Sequence, residues 1–559
     1  MNRQLVFLIT LLFLVSVSSL TIRVQRVEAS ETIYIRANGS VEGTADIWTY
    51  DNITYTFTDN INDSIVIERD SIVVDGKGYT VHGTGSGTGI HLSDRNNVTV
   101  KNMEIRAFER GIRLEDSSNN TISANNVTNT EYGIVLYGSS SQNILRHNDA
   151  SSNMYNLGIF TASVSGYIQD IDDSNTVNGK PVYYWINRQD MTVPLDAGYV
   201  VLVNCTGITV KNLNLTNNMQ GVALSFTTNS IIANNSVMNN FDGVRFDHSS
   251  NNNVISGNNI TANTNYGIRL FYDPSASGSQ PAGPSCNNTI YGNNVTDNDT
   301  GIRLDYPSNN SVCANNVANN SDGIGLYGSS SSNTVSENNI INSTYGIWFY
   351  SSYDSWIYHN NFIGNIITVY PSFDHNFWDA GYPSGGNYWS SSYHGKDIYS
   401  GVYRNETGSD GIGDTPFHLD NYPLMGMFHS FNTSQGYAVD VISNSTINDF
   451  EYSESNSTIK VYVSNMTSDQ TFGFCRVRIP HTLMNETTVV TVLVNGTEPY
   501  YWNYTLYDDG NSRWIYFEYE HSTLEIVIVP ELSSLLILPL FMVISIVYVI
   551  TRKRFDNKQ

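Results

Sequence analysis

Gly89-Ile90-His91-Leu92 recurs as Gly111-Ile112-Arg113-Leu114 and as Gly133-Ile134-Val135-Leu136. The same Gly-Ile/Val-x-Leu/Phe pattern returns at Gly221, Gly243, Gly267, Gly301, Gly323 and Gly346. Most neighbouring copies are about 22 residues apart, a period typical of stacked repeats. Each repeat has two further apolar segments, such as Asn120-Thr121-Ile122 and Asn125-Asn126-Val127. The alternation predicts three very short strands per repeat, separated by turns rich in Asn, Gly and Ser.

A repeat this small cannot bury its apolar residues alone, so the repeats must stack. Three strands per turn of the stack predict an all-β, right-handed parallel β-helix. Asn side chains at the bends should hydrogen-bond to one another along the axis, as in amide ladders. A leucine-rich repeat is the alternative architecture, but the leucine and helix positions of that motif are absent.

The repeats divide the chain into segments of different character. We expect an entry segment and cap at 30–75 and a β-helix at 76–427, interrupted by an insertion at 161–203. An aromatic and Gly-rich closing segment, 371–427, should cover the open end of the solenoid, whose strand edges would otherwise be unpaired. The repeats stop at 430–529, where longer strand-like stretches predict a β-sandwich that acts as a stalk.

Both ends of the chain have apolar runs. Residues 1–29 are typical of a secretory signal peptide, with cleavage after Ala29. The run Leu532 to Ile550 is long enough, at about 28 Å, to cross a membrane as one helix. The basic residues in 551–559 should stay in the cytoplasm. These features predict a single-pass membrane protein at the cell surface, with an extracellular N-terminal ectodomain.

The composition excludes one class of partner. The net charge is −24 and only 14% of residues are charged, so a nucleic-acid binder, which needs clustered positive charge, is excluded. Asn-x-Ser/Thr triplets recur along the chain, at Asn97, Asn204 and Asn456 for example, and they suggest a heavily glycosylated exterior.

The repeats resemble the parallel β-helix repeat family found in carbohydrate-binding and sugar-hydrolysing proteins. More narrowly, the chain looks like the NosD-like proteins over roughly residues 45–427, through its Asn-Asn-Thr-Ile and Gly-Ile-x-Leu coils. The other matching segments are Val177 to Trp185, Gly385-Gly386-Asn387-Tyr388-Trp389, and Ser409 to Pro416. The resemblance implies an exported protein of a family named after copper-site maturation, and the coils are specific for fold rather than activity.

A candidate ligand site lies on the outward positions of three successive repeats. Arg245, Arg269 and Arg303 occupy the x position of the pattern, and Asp247 and Asp305 follow two residues later on the same side. Tyr272, Tyr306 and Tyr327 flank them. Guanidinium groups stacked at strand spacing could bind the carboxylates of an acidic sugar chain. The alternative is a solvated ladder in which Arg and Asp pair with each other.

Two metal sites and one disulfide are conceivable. Asp410 and Asp414 alternate with Gly in a turn that suits calcium, although the last bidentate Glu of such loops is absent. Met425, Met427 and His429 are soft ligands for copper, but one such cluster is a weak signal and copper is not favoured. Cys286 and Cys313 fall in neighbouring repeats, where a bridge is conceivable in an exported protein.

Taken together, the sequence favours a glycosylated surface protein that binds carbohydrate or serves as an adhesion structure, rather than an enzyme. A surface polysaccharide lyase or hydrolase on the same scaffold is the first alternative. A copper-delivery accessory protein of the NosD-like type is the second. The expected partners are a polysaccharide or cell-surface glycan and, through the C-terminal helix, a membrane.

Overall fold

A computed structural model describes residues 32–161, 164–274, 283–370, 375–390, 392–520 and 523–530. Within these ranges the chain is built from β-strands, and its one helical element is a 3-10 turn at Ser165–Tyr167. Two parallel solenoids follow one another, and an antiparallel β-sandwich follows them.

The strands of the first solenoid are β1 (Ile33–Ile35), β2 (Val41–Glu42), β3 (Ile47–Thr49), β4 (Thr54–Phe57), β5 (Ile65–Ile67), β6 (Val73–Asp75), β7 (Thr80–His82), β8 (Thr88–Ser93), β9 (Thr99–Lys101), β10 (Glu104–Arg106), β11 (Arg110–Glu115), β12 (Thr121–Ser123), β13 (Asn126–Thr128), β14 (Tyr132–Tyr137), β15 (Ile144–Arg146), β16 (Asp149–Ser151), β17 (Tyr155–Phe160), β18 (Asp170–Ile171) and β19 (Thr176–Val177). β1 pairs with β5 and β5 pairs with β8, all in one sheet, so the coils begin before residue 76. These early strands lack the Gly-Ile-x-Leu pattern, which is why the repeat alone did not reveal them.

The strands of the second solenoid and of the segment that closes it are β20 (Lys180–Ile186), β21 (Tyr199–Val203), β22 (Thr209–Lys211), β23 (Asn214–Thr216), β24 (Gln220–Ser225), β25 (Ile231–Ala233), β26 (Ser236–Met238), β27 (Asp242–Asp247), β28 (Val254–Ser256), β29 (Asn259–Thr261), β30 (Tyr266–Phe271), β31 (Thr289–Tyr291), β32 (Asn294–Thr296), β33 (Thr300–Asp305), β34 (Ser311–Cys313), β35 (Asn316–Ala318), β36 (Asp322–Tyr327), β37 (Thr334–Ser336), β38 (Asn339–Ile341), β39 (Tyr345–Tyr350), β40 (Trp356–Tyr358), β41 (Asn361–Ile363), β42 (Ile367–Tyr370), β43 (Tyr388–Trp389), β44 (Tyr399–Ser400) and β45 (Glu406–Thr407).

One 14-stranded sheet runs through both solenoids, in the order β7-β10-β13-β16-β19-β20-β21-β24-β27-β30-β33-β36-β39-β42. β19 and β20 are antiparallel, whereas the flanking pairs are parallel, so the strand direction reverses between the solenoids. The coils nevertheless keep stacking in the same direction. Both solenoids can then be right-handed only if their cores lie on opposite faces of this sheet.

The buried side chains confirm this exchange of faces. Val127 and Val177 point into the first core, and Val201 and Ala223 of the second solenoid still pack against it. The alternate residues of the same strands, such as Val200, point into the second core instead. Beyond Ala223 the first core ends, and the face that was its interior becomes the outer face of the second solenoid.

Asn ladders connect the coils, which confirms the predicted hydrogen bonding along the axis. In one ladder Asn258 Nδ2 donates to Asn293 Oδ1 at 2.9 Å and to the backbone oxygen of Ile232 at 2.9 Å. The backbone N–H of Asn258 also donates to Asn293 Oδ1, at 3.0 Å. Each buried amide therefore satisfies donors and acceptors of three coils, which removes the penalty for burying it.

The end of the second solenoid is covered by aromatic residues of the closing segment. Trp378 and Trp389 are buried there, and Trp389 stacks on Phe362 of the last coils at 4.6 Å. The carboxylate of Asp420 accepts hydrogen bonds from Trp389 Nε1 at 2.8 Å and from the backbone N–H groups of Asn387 and Tyr422. Both oxygens of this buried carboxylate in the closing segment therefore accept hydrogen bonds.

The C-terminal strands are β46 (Met427–Asn432), β47 (Ala438–Ser443), β48 (Thr446–Ser453), β49 (Thr458–Ser464), β50 (Phe472–Pro480), β51 (Val490–Val494), β52 (Tyr501–Asp508), β53 (Ser512–Glu520) and β54 (Leu524–Pro530). They form a five-stranded and a four-stranded antiparallel sheet, whose facing side chains share one core. Arg476 of this sandwich is fully buried, and its Nη1 donates to the backbone oxygen of Asp410 at 2.6 Å. The sandwich is thereby fixed to the closing segment.

The predicted fold class needs one correction, because a C-terminal transmembrane helix is not supported. In the ranges described, no helix is long and apolar enough to cross a membrane. The run Leu532 to Ile550, like the signal peptide at 1–29 and the basic tail at 551–559, lies outside those ranges. An apolar run of this length is long enough to span a membrane, but its length alone does not establish a helix. Over the described residues the fold class is therefore all-β, without the predicted transmembrane helix.

The four cysteines are free, so the bridge considered between Cys286 and Cys313 is absent. Cys313 lies in β34, where its register partner in the preceding coil is Tyr291. Cys286 precedes β31 and its sulfur accepts a hydrogen bond from the backbone of Ser308 at 3.4 Å. The two residues fall in neighbouring repeats but in different rows of the coil.

Candidate functional site

The three predicted arginines lie in one row across neighbouring strands of the 14-stranded sheet. Arg245, Arg269 and Arg303 are register partners on β27, β30 and β33. The preceding members of the row are Val201 and Ala223, which pack against the first core. The exposed fraction of the side chain rises along the row, from 4% for Arg245 to 14% for Arg269 and 23% for Arg303.

Arg245 is buried and already paired, so its guanidinium group offers little surface to a ligand. Its Nε lies 2.9 Å from the carboxylate of Asp247, and its Nη1 lies 3.3 Å from that of Asp242. Both carboxylates are completely buried, and the Tyr167 hydroxyl donates a short hydrogen bond to Asp247. Burial raises the pKa of Asp242, and the charge of Arg245 opposes that rise. Arg245 and Asp247 therefore pair with each other, as the alternative interpretation of the ladder required.

Arg269 and Arg303 also pair with an acidic residue but stay accessible. The Nε atom of each donates to Asp305 at 2.8 Å, which fixes the two guanidinium groups side by side. Within the described part of the chain, their terminal nitrogens make no hydrogen bond. Arg269 lies 4.5 Å from the ring centre of Tyr266, and Arg303 lies 3.8 Å from that of Tyr327. Both cations are thus positioned with N–H groups free for an anion.

Aromatic residues continue the row where the arginines end. Gly325 follows Arg303, and Trp348 follows Gly325. A Cβ at Gly325 would lie 2.5 Å from the ring of Tyr327, so the glycine leaves room for that ring to lie over Arg303. The arginine–aromatic face is defined here as Tyr266, Arg269, Arg303, Tyr327, Tyr345, Trp348 and Tyr370. Trp348 lies 4.6 Å from the ring of Tyr345.

An acidic residue at the edge of this face titrates near neutral pH. Burial, together with the charge of Asp299, raises the pKa of Asp322 to about 6, although the charge of Arg303 opposes the rise. Burial also raises the pKa of Tyr327, so its hydroxyl stays protonated and can donate a hydrogen bond. Below pH 6 the face therefore gains positive character, because Asp322 becomes neutral while both arginines stay charged.

Of the three tyrosines predicted beside the arginines, Tyr327 lies over Arg303, whereas Tyr272 and Tyr306 lie at the side of the face. Tyr272 and Tyr306 contact each other edge to face at 6.2 Å, and both follow the ends of their strands. Inside the strands, Tyr266 and Tyr345 instead directly precede the Gly of the pattern, and Trp348 occupies its x position. An aromatic residue directly before Gly is the signal that could have identified Tyr266 and Tyr345 from the sequence.

The carboxylates of the two residues predicted to bind calcium already have hydrogen-bonding or charged partners within the protein. The carboxylate of Asp410 lies 3.3 Å from Arg476 Nη1 and accepts the N–H of Ile412 at 3.0 Å. That of Asp414 accepts the N–H groups of Ile398 and Tyr399. Across the described ranges no group of three or more His, Cys, Asp or Glu residues could bind a metal ion. Calcium stays an untested prediction, because the Asp pair alone does not form a ligand set.

The methionines and histidine considered for copper lie where the sandwich begins. Met425 packs beside Leu424 and Phe428 in a small apolar cluster that joins the closing segment to the sandwich. Burial lowers the pKa of His429 to about 4, so it is neutral at physiological pH. Packing accounts for the position of Met425.

Comparison with known families agrees with the solenoid architecture. A model of the right-handed β-helix region matches residues 18–179, and the model of a periplasmic copper-binding protein (NosD) matches residues 170–277 and 282–395. The chain is therefore a right-handed parallel β-helix repeat protein. More narrowly, it is a β-helix repeat protein of the NosD-like type, which confirms the resemblance seen in the coils.

Similar solved structures are distant. The A-module of mannuronan C-5 epimerase AlgE6 from Azotobacter vinelandii is 14% identical, with a TM-score of 0.30 over 56% of this chain and 88% of that one. The periplasmic alginate epimerase AlgG is 13% identical, with a TM-score of 0.23 over 57% and 71%. The Dettilon tailspike protein is 13% identical, with a TM-score of 0.25 over 83% and 87%. No curated protein matches the chain.

Proposed function

We propose that this protein is an exported carbohydrate-binding protein whose arginine–aromatic face binds an acidic polysaccharide. The observation that supports this proposal is the side-by-side pair Arg269 and Arg303, both fixed by Asp305 and both with unbonded terminal nitrogens. Planar guanidinium groups bind carboxylates through two parallel hydrogen bonds, and such charge-assisted bonds are about twice as strong as neutral ones.

The aromatic half of the face suits the rings of the same ligand. Tyr345, Trp348 and Tyr370 are mutually in contact, with ring centres 4.6 to 5.3 Å apart. Tyr345 and Trp348 are half-buried and Tyr370 is exposed, so together they form a contiguous aromatic patch at the surface. Side chains with an apolar body and a polar tip match a sugar ring, which has apolar C–H faces and hydroxyl edges.

The direction of the face favours a polymer over a single sugar. Successive strands are about 4.8 Å apart, so the face from β30 to β42 extends about 20 Å along the solenoid axis. A chain of several sugars could contact Arg269, Arg303 and Trp348 in turn. Each contact contributes little alone, and the linked contacts add avidity.

The test is the affinity of the purified protein for polygalacturonate, measured by isothermal titration with dextran as the neutral control. Arg303→Gln should weaken binding about tenfold, or about 1.4 kcal/mol, because one charge-assisted contact is lost. Arg146→Gln is the matched control, since Arg146 is also paired with acidic residues but lies on another sheet of the first solenoid.

Each outcome separates one interpretation from another. Binding that depends on Arg303 and not on Arg146 supports the proposal. Equal affinity of the wild type and Arg303→Gln, or no binding of polyuronates at all, would show that the face is not the site. Shortened or unsaturated products in the same samples would add catalysis to the binding function.

A further inference from the structure

The junction between the two solenoids contains a cavity that is separate from the arginine–aromatic face. Its volume is about 240 Å³, and it is lined by Arg110, Arg113, Tyr132, Val135, Tyr137, Phe160, Met219 and Phe241. The first six residues are on the outer face of the first solenoid, and the last two are at a corner of the second. No repeat of either solenoid forms this cavity alone. The cavity exists because the second solenoid is displaced sideways relative to the first.

Hydrogen bonds fix the corner of the second solenoid on the last strand of the first. The backbone N–H of Met219 donates to the oxygen of Leu157 at 3.1 Å, and the N–H of Asn156 donates to the oxygen of Asn217 at 2.6 Å. A Cβ at Gly158 would lie 2.1 Å from Met219, so the glycine permits this close approach. The two walls of the cavity therefore form one rigid unit.

The floor of the cavity is apolar although it belongs to an outward-facing row. Val135 is 6% exposed and Met219 is 4% exposed. Beside them the rings of Tyr137 and Phe160 are stacked, with centres 5.2 Å apart and planes 9° apart. Phe241 meets Phe160 edge to face at 6.4 Å. This wall offers a flat apolar surface for a ring.

Two arginines beside these rings offer positive charge. Arg110 lies 5.6 Å from the ring centre of Tyr132, and Arg113 lies 5.2 Å from that of Tyr137. Each pairs with a neighbouring glutamate through one terminal nitrogen, at 2.8 and 2.9 Å. A guanidinium group has five N–H donors, so most of each donor set is left for a ligand. Burial also raises the pKa of Tyr132 to about 12, so its hydroxyl stays a neutral donor.

We propose that this junction cavity binds a single hexuronate ring, with its carboxylate at Arg110 and Arg113 and its C–H face on Tyr137 and Phe160. The volume is below the range of about 300–1,000 Å³ that is usual for drug-sized ligands, so it suits one ring and not a chain. A wholly apolar ligand would leave the remaining N–H groups of both guanidinium groups without an acceptor. This site shares no residue with the arginine–aromatic face and does not depend on that face being functional.

The experiment is saturation-transfer NMR and titration of the whole protein with sodium D-glucuronate, with D-glucose as the probe that lacks the carboxylate. Glucuronate should bind saturably and glucose at least tenfold more weakly. Arg113→Gln should weaken glucuronate binding at least tenfold, and Val135→Phe, which fills the floor but keeps both arginines, should abolish it. Arg146→Gln, which changes a paired arginine outside both sites, is the control and should leave glucuronate binding unchanged.

Thermal unfolding of each variant checks that the fold is intact, and either variant suffices if the other does not fold. The proposal is overturned if glucuronate shows no saturable binding, if Arg113→Gln binds as tightly as the wild type, or if glucose binds equally well. Loss of glucuronate binding in Arg303→Gln but not in Arg113→Gln would also overturn it, because the ring would then lie on the arginine–aromatic face.

Discussion

The two solenoids use the same repeat but opposite faces of one sheet. In the first solenoid the shared face is a core, with Val127 and Val177 fully buried. In the second solenoid the same face bears Arg269, Arg303 and Trp348, and these side chains are partly exposed. The repeat sets the positions of the strands, whereas the strand direction at the β19–β20 pair decides which face is buried. Arginine side chains are thus accommodated on one half of the sheet, whereas the other half buries apolar residues and tyrosines such as Tyr184 and Tyr199.

The largest expected effect comes from placing an arginine, as found on the second half of the shared sheet, into the core of the first half. Val201→Arg would put a guanidinium group into the first core at the row position that Arg245 occupies two coils later. An unpaired buried charge should lower the free energy of unfolding by roughly 4 kcal/mol or more. Chemical denaturation measures the loss. Arg303→Val, at the exposed end of the same row, should change the unfolding free energy by less than about 1 kcal/mol, and similar losses for both would refute the exchange of faces.

Arg245 lies at the boundary between the two regions, and its removal should have the next largest effect. Arg245→Gln leaves the buried carboxylates of Asp242 and Asp247 without their cation, at a cost of about 3–5 kcal/mol at pH 7. Burial already raises the pKa of Asp242, so the folded variant should bind protons more tightly than the unfolded chain. Its stability should therefore rise as the pH falls from 7 towards 4.5. A deficit that is constant across this range would contradict the pairing.

The Asn ladders are alike in the two solenoids, so removing one ladder residue from either should lower the free energy of unfolding by a smaller and equal amount. Asn125→Ala in the first and Asn258→Ala in the second each remove a ladder amide that accepts a backbone N–H and donates along the axis. Each should cost about 2–3 kcal/mol, because buried donors and acceptors lose their partners. Because the solenoids share one sheet, both variants should shift the same unfolding transition. Two separate transitions in calorimetry would show that the halves unfold independently.

The smallest effect is a pH dependence confined to the second half. Polygalacturonate should bind about threefold more tightly at pH 5 than at pH 7.5, because Asp322, with a pKa of about 6, becomes neutral beside Arg303. The ligand keeps its charge, since uronate carboxyls titrate at lower pH. Asp322→Asn should bind equally at both pH values. If the variant shows the same pH dependence as the wild type, another group is responsible.

Much of the architecture could be predicted because it is local. The alternation in Gly-Ile-x-Leu places Ile and Leu on one side of each strand, and the paired Asn residues mark the bends, so the sequence alone predicts stacked coils and Asn ladders. It also places Arg245, Arg269 and Arg303 in one row. The sequence could not separate Arg245 from the other two, because Tyr167, which hydrogen-bonds to Asp247 beside it, comes from a distant segment of the chain.

The sequence by itself determined the class of fold, the period of the coils and the row of arginines, since these depend on residues within one or two repeats. Only the tertiary structure decided which face of the shared sheet is buried, how accessible each arginine is, and that a cavity opens beside β17. The physical reason is the reversal of strand direction at β19 and β20: keeping both solenoids right-handed moves the core across the sheet. That displacement exposes the arginine–aromatic face and brings Met219 and Phe241 against the first solenoid.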